Sequence, residues 1–173
     1  MFRNSLTKVD IFDNELGEIT KQEAHSSPVL HRAFSVFLVN DNNEILIQKR
    51  AKNKYHSGGL WANACCSHPA PKEDVVLSAQ KRLSEELGVS TELKELFSFV
   101  YLHKFDDNLF EYEYDHVLLG KYNGQVELNK EEASECLWIS PEQLAKALRQ
   151  TPQKFASWFL ICAPKVLSML KNE

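Results

Sequence analysis

A thiol and an imidazole two residues apart carry the strongest chemical signal in this chain. The stretch Asn63-Ala64-Cys65-Cys66-Ser67-His68-Pro69 ends in a proline, and Pro71 follows. Both prolines resist helix, so an extended or looped segment is expected here. On an extended segment, residues two apart face the same way. Cys66 and His68 then share one side, and Cys65 points to the other. A thiol so placed could be a nucleophile, an acid/base or a ligand. The plain alternative is a loop thiol beside a surface histidine.

Glu111-Tyr112-Glu113 places two carboxylates at i and i+2 on an expected strand, hence on one face. Like charges this close repel, raise one pKa, or bind a cation. The bulky residues around them (Phe110, Tyr112, Tyr114, Val117, Leu118, Leu119) imply at least one covered face. His25 and His31 complete a set of three histidines with His68. Three histidines and two carboxylates suit a divalent transition metal with five or six donors. They do not suit a closed tetrahedral zinc knot, which favours cysteine and histidine.

Glu85-Glu86 closes an expected helix, where acids oppose the helix dipole. That unfavourable placement hints at a task such as holding magnesium. Lys49-Arg50-Ala51-Lys52-Asn53-Lys54 packs four cations into six residues. It could be a solvated hairpin end, or a clamp on a phosphate ester. Lys21 and Arg82 join it only if the fold brings them together.

The elements that must position these groups follow from periodicity. Residues 8–12 alternate like a strand, and a turn at 13–17 leads to a second short one. Residues 31–39 and 44–49 flank Asn40-Asp41-Asn42-Asn43, a hairpin signal. Residues 72–87 carry Val75, Val76, Ala79, Leu83 and Leu87 at helical spacing, with Gly88 as the stop. Residues 96–105 and 111–122 read as strands around a turn at 106–108, and 136–139 as a short strand. Ser140-Pro141-Glu142-Gln143 reads as a capping box opening a helix to about residue 149. Residues 155–170 read as a terminal helix kinked at Pro164. This order of strands, helix, strands and helices predicts an α+β fold with a mixed sheet.

Composition sets the outer bounds. A length of 173 residues argues for one domain with a real core. The apolar share of 43% and charged share of 25% exclude collagen-like, disordered and disulfide-scaffold classes. With 20 basic and 24 acidic residues the net charge is −4, which leaves no basic surface for nucleic acid. The longest apolar run, residues 33–39, is far too short to span a bilayer. The first residues lack the apolar region of a signal peptide, so a cytosolic protein without disulfides is expected. Cys136 and Cys162 sit among apolar neighbours and are expected to be buried.

Together these residues resemble the type I isopentenyl-diphosphate isomerases, a branch of the Nudix fold. The resemblance runs from Lys21 to Trp158. It rests on His31-Arg32-Ala33-Phe34-Ser35-Val36-Phe37-Leu38, the Trp61 to Pro69 stretch, Arg82-Leu83-Ser84-Glu85-Glu86-Leu87-Gly88 and the Glu111/Glu113 pair. It implies a Nudix sandwich over residues 1–173, a mixed β-sheet flanked by helices. It implies conversion of isopentenyl into dimethylallyl diphosphate in isoprenoid biosynthesis. By the same resemblance, Cys66 and Glu113 would be the acid/base pair on opposite faces of the alkene. Tyr101 would be the active-site tyrosine, Trp158 an aromatic wall, and Cys65 non-catalytic. His25, His31, His68, Glu111 and Glu113 would form a metal site for manganese, zinc or magnesium. Glu86 would help hold a magnesium ion bound to the substrate diphosphate. Lys21, Arg50, Lys54 and Arg82 would contact that diphosphate. The partner implied is a small homoallylic or allylic diphosphate, with no nucleic acid or membrane.

One contrast matters. Nudix hydrolases generally carry Arg-Glu where this chain has Lys81-Arg82. A metal-binding acid is replaced by a cation, which weakens the alternative reading as a hydrolase of a nucleoside diphosphate derivative. A third reading is a metal-binding or redox module built on Cys65, Cys66 and His68. The isomerase chemistry explains more of the residues. An unactivated alkene is a very weak base, so an acid must deliver a proton in the transition state and a base remove another.

Overall fold

The structure, a computed structural model, describes residues 4–106 and 108–171. Its centre is strand β3 (His31–Val39). β3 runs parallel to β8 (Leu109–Lys121) on one side and antiparallel to β6 (Cys65–Ser67) on the other. β7 (Lys94–Asp106) pairs antiparallel with β8 along nearly its whole length. The turn expected at 106–108 includes residue 107, which lies outside the described residues.

The expected hairpin after β3 forms at its turn, where the Asn40 side chain accepts from the backbone of Asn42 and Glu44. Only Val39 and Ile45 then pair. The strand β4 (Ile45–Arg50) leaves β3 and joins β5 (Trp61–Ala62) and β9 (Ala133–Ile139). This divergence frees one side of β3 for β6, the strand that carries Cys66.

At the N-terminus, β1 (Ser5–Val9) and β2 (Glu15–Thr20) form a hairpin. The expected strand at 8–12 is displaced. Asp10 accepts hydrogen bonds from the backbone of Phe12 and Asn14, and Asp13 takes a φ of +65°. These local side-chain bonds turn the chain earlier than the alternation suggested.

Helix α1 (Lys21–Ser26) is short but closed by a capping box between Thr20 and Glu23. Helix α2 (Val75–Leu87) starts later than its periodicity implied, because Asp74 caps it and Lys72 has a φ of +63°. Gly88 ends it at φ +64°. Helix α3 (Pro141–Gln150) is capped by Ser140, which accepts from the Gln143 amide. Helix α4 (Ser157–Leu170) contains Pro164 and begins two residues after the expected start. Phe155 instead bridges to Trp61, and the Ala156 amide bonds the Trp61 carbonyl.

Alternation along β3 and β8 separates two cores. Phe34, Val36, Leu38 and Leu118 pack on α2 through Ala79, Leu83 and Leu87. Burying each of those leucines is worth roughly 1.5–3 kcal/mol. Phe37 and Val117 face the other way, onto Trp158, Phe159 and Cys162 of α4. Cys65 belongs to the first core and Cys66 packs against the second, so the two thiols point to opposite faces. Cys162 is buried as expected, whereas Cys136 is half-buried because β9 lies near the rim. No helix of the described residues is long and apolar enough to cross a membrane.

Candidate active site and metal centre

The α4 side of the sheet carries the chemistry. Residues 111, 113 and 115 share the face of β8 that Val117 turns to α4, so Glu111, Glu113 and Asp115 all project there and all are buried. His31 lies opposite Glu113 in the parallel register, and Tyr101 lies opposite it from β7. His25 arrives from α1, and His68 follows the end of β6.

These elements bring His25, His31, His68 and Glu111 together, with one donor atom from each within 4.8 Å of the others. Glu113 sits at the edge of this group, its Oε1 2.8 Å from His68 Nε2 and its Oε2 accepting from the Tyr101 hydroxyl at 2.6 Å. Two observations show that the group fits a divalent cation. His25 Nδ1 and His31 Nδ1 each contact a backbone carbonyl, of Lys21 and Val29, at 2.5 and 2.8 Å. Those contacts fix the hydrogen on Nδ1, so each neutral ring presents a lone pair at Nε2. His31 Nε2 and Glu111 Oε2 are moreover buried without any hydrogen-bond partner. Lone pairs converging in a buried space call for a cation between them.

The electrostatics agree with this concentration of acids and imidazoles. Burial opposes the Glu113 carboxylate, yet the neighbouring His31 and His68 rings hold its pKa well below the usual range. Burial drives the Asp115 carboxyl well up, and nearby Glu113 adds to it. Burial and Glu113 also push the Tyr101 phenol up. Burial holds the His68 imidazole down.

On the other flank of β3, the Cys66 thiol donates to Asn63 Oδ1 at 2.9 Å. The Trp158 indole N–H points at the same pair, 3.2 Å from Asn63 Oδ1 and 3.1 Å from Cys66 Sγ. Burial, reinforced by Asp115, raises the Cys66 pKa to about 12, so the group is a neutral thiol. Ser35, opposite Cys66 in the β3–β6 register, donates to Asp115 at 2.8 Å.

The basic residues divide into two groups. Burial is the larger cause that lowers the Lys21 pKa, and Arg50 and Lys54 lie close enough to Lys21 to lower it further. The Arg50 guanidinium lies 5.1 Å from the centre of the Trp158 ring. Arg82 is held by Glu85 at 2.7 Å, Glu86 at 2.6 Å and Glu132 at 3.5 Å. Glu132 also binds Lys54, so one carboxylate ties the two groups together. Glu86 is buried, which raises its pKa against the pull of Arg82.

Four participants escaped the sequence reading. His56, at the tail of the basic stretch, reaches Glu111 Oε1 at 2.5 Å. Asp115 extends the Glu111/Glu113 alternation by one step, a signal that was available. Asn63 opens the stretch that ends at Pro69, and its spacing alone gives it no role. Glu132 comes from residues 123–132, which lack periodicity and are laid against α2 by backbone bonds to Leu87 and Glu86.

Comparison with known proteins agrees with this geometry. The NUDIX domain family model matches residues 29–159. Isopentenyl-diphosphate Delta-isomerase 2 of Aromatoleum aromaticum is 44% identical over 92% of this chain and 85% of its own length. Isopentenyl-diphosphate Delta-isomerase of Serratia proteamaculans is 41% identical over 90% of this chain and 87% of its own. Among solved structures, a Deinococcus radiodurans protein superposes with a TM-score of 0.75 at 19% identity, covering 93% of this chain and 98% of that one. The NUDIX domain of Shewanella oneidensis NrtR superposes at 0.60 with 16% identity, covering 82% and 87%. At such identities the superpositions speak for the fold alone.

Proposed function

Since the chain belongs to the type I isopentenyl-diphosphate isomerases of the Nudix superfamily, we infer that it moves the double bond of isopentenyl diphosphate to give dimethylallyl diphosphate. The reading takes residues 1–173 as one catalytic domain acting in the cytosol.

One observation carries the assignment of roles. A neutral thiol on β6 and an ionised carboxylate on β8 stand on either side of the same central strand. A flat alkene over β3 then has Cys66 at one face and Glu113 at the other. One of them gives a proton to the alkene and the other takes one from the opposite side. Tyr101 holds the Glu113 carboxylate through Oε2, and Asn63 holds the Cys66 thiol. Trp158 turns its N–H edge to Cys66 and would form an aromatic wall of the site, where an indole face can stabilise developing positive charge on carbon by about 2 kcal/mol when dry. Glu113 is buried and Cys66 half-buried, and exclusion of the remaining water when substrate binds would keep that charge from being quenched.

His25, His31, His68, Glu111 and Glu113 would hold a divalent metal. When bound, such an ion would fix these carboxylates and lower their proton affinity. Glu86 would hold magnesium brought with the substrate. Lys21, Arg50, Lys54 and Arg82 would grip the diphosphate, so that binding energy at the inert end orients the reacting end.

The test is proton NMR of isopentenyl diphosphate in heavy water with purified protein and divalent metal. Dimethylallyl signals carrying deuterium are expected. An unchanged alkene after metal reconstitution would overturn the reading.

A further inference from the structure

His56 has no part in the roles assigned so far, yet it is held from several sides beside the metal donors. Its Nε2 lies 2.5 Å from Glu111 Oε1. Its ring stacks on Phe105, with centroids 4.6 Å apart and planes 27° apart, and meets Trp158 edge-on at 5.8 Å. Its backbone carbonyl accepts from Arg50 at 3.3 Å. Its Nδ1 faces the Ser57 hydroxyl at 3.3 Å.

The loop that carries it is sharply shaped. Ser57 takes a φ of +53° and Gly59 a φ of +77°. A Cβ on Gly58 would meet the Lys52 carbonyl oxygen at 2.5 Å, so only glycine fits there. Backbone held in such conformations is paid for by contacts elsewhere and tends to cluster at functional sites.

Glu111 Oε1 is approached by two imidazoles, His25 Nε2 at 2.9 Å and His56 Nε2. The Lys21 carbonyl fixes the His25 hydrogen on Nδ1, so a neutral His25 has no hydrogen to give Glu111. With Ser57 donating to its Nδ1, His56 carries its hydrogen on Nε2 and can donate to Oε1. The other oxygen, Oε2, is buried and unpartnered.

We propose that His56 is a positioning residue for the metal centre, its Nε2–H fixing one oxygen of Glu111 so that the other stays free to bind the ion. His56 acts through Glu111 and is not itself a ligand. The inference rests on the metal site described above and adds an outer donor to it. Outer partners of this kind typically change metal affinity by about 10–100-fold.

The test uses the full chain freed of metal and titrated with cobalt(II) against a chromophoric chelator, following both affinity and the visible cobalt bands. His56→Ala is expected to weaken cobalt binding about 10–100-fold. His56→Gln, whose amide places an N–H near the Nε2 position, is expected to keep near-wild-type affinity and unmoved bands. Wild-type affinity in His56→Ala would overturn the proposal. Bands displaced in His56→Gln would also overturn it, by making His56 a direct ligand. Wild-type protein that takes up no cobalt would instead overturn the metal site itself.

Discussion

The Cys66 thiol is aimed by Asn63. Asn63 is fully buried and donates both amide hydrogens to backbone carbonyls, of Val36 at 3.0 Å and Cys65 at 2.9 Å. Its oxygen therefore has one orientation, toward Cys66 and Trp158. Asn63→Ala releases both groups. Displacement of a reacting group by about 1 Å can cost roughly 100-fold, so kcat should fall by up to about that factor while KM moves little. Trp158 fluorescence should shift with it. An unchanged kcat in a folded variant would refute the positioning.

The two adjacent thiols should behave oppositely. Cys66→Ala removes a group assigned to proton transfer, and turnover should drop by about 100- to 10,000-fold with the fold intact. Cys65 lies on the α2 side of the sheet, where burial and nearby Glu86 push its thiol well up. Cys65→Ala should keep turnover within about threefold and lose a little stability, since large surface burial is not at stake. Steady-state rates and circular dichroism of both variants check this. Equal losses in the two would remove the distinction between the faces.

Much of this face was legible before the fold was known. Period-two alternation put Cys66 with His68 and Glu111 with Glu113, and both pairs do share a side. The reason is simple: β8 is a regular strand, β6 carries the chain to the residue before His68, and alternation is a local rule. His56 was invisible because its place depends on a glycine-shaped loop folding back over β8. Glu132 was invisible because its segment has no period and is held by α2. The strand at 8–12 failed for a different reason. Asp10 bonds its own backbone two and four residues on, and those bonds outweigh the alternation of Ile11 and Phe12, which end up exposed.

Asp115 should leave a signature in stability against pH. Its carboxyl pKa is raised well above the ordinary 3.8, first by burial and then by Glu113. The folded state therefore holds this proton to higher pH than the unfolded state does. Between those two pKa values the folded state binds more protons, so stability declines as pH rises. Asp115→Asn still offers Ser35 an acceptor but has no proton to lose. It carries a constant offset from its new buried N–H. In metal-free protein, the melting temperature of Asp115→Asn relative to wild type should climb from pH 4 toward neutrality. A flat difference across that range would show that Asp115 is not protonated in the fold.

Metal withdrawal should loosen α1 first. This helix has only six residues, too few to be stable alone in water. Its capping box holds one end, and His25 anchors the other at the metal donors. A ligand that binds only the folded state at about 100 times its dissociation constant adds roughly 2.7 kcal/mol. For a chain of this size each kcal/mol shifts the midpoint by about 2–4 °C. Chelation should thus lower the melting temperature by roughly 5–10 °C. Amide exchange at residues 21–26 should accelerate more than exchange in β3, whose backbone is paired on both sides. Uniform acceleration across the sheet would mean that the metal supports the whole fold rather than the docking of α1. Identical melting with and without metal would mean that α1 is docked by its protein contacts and not by the metal.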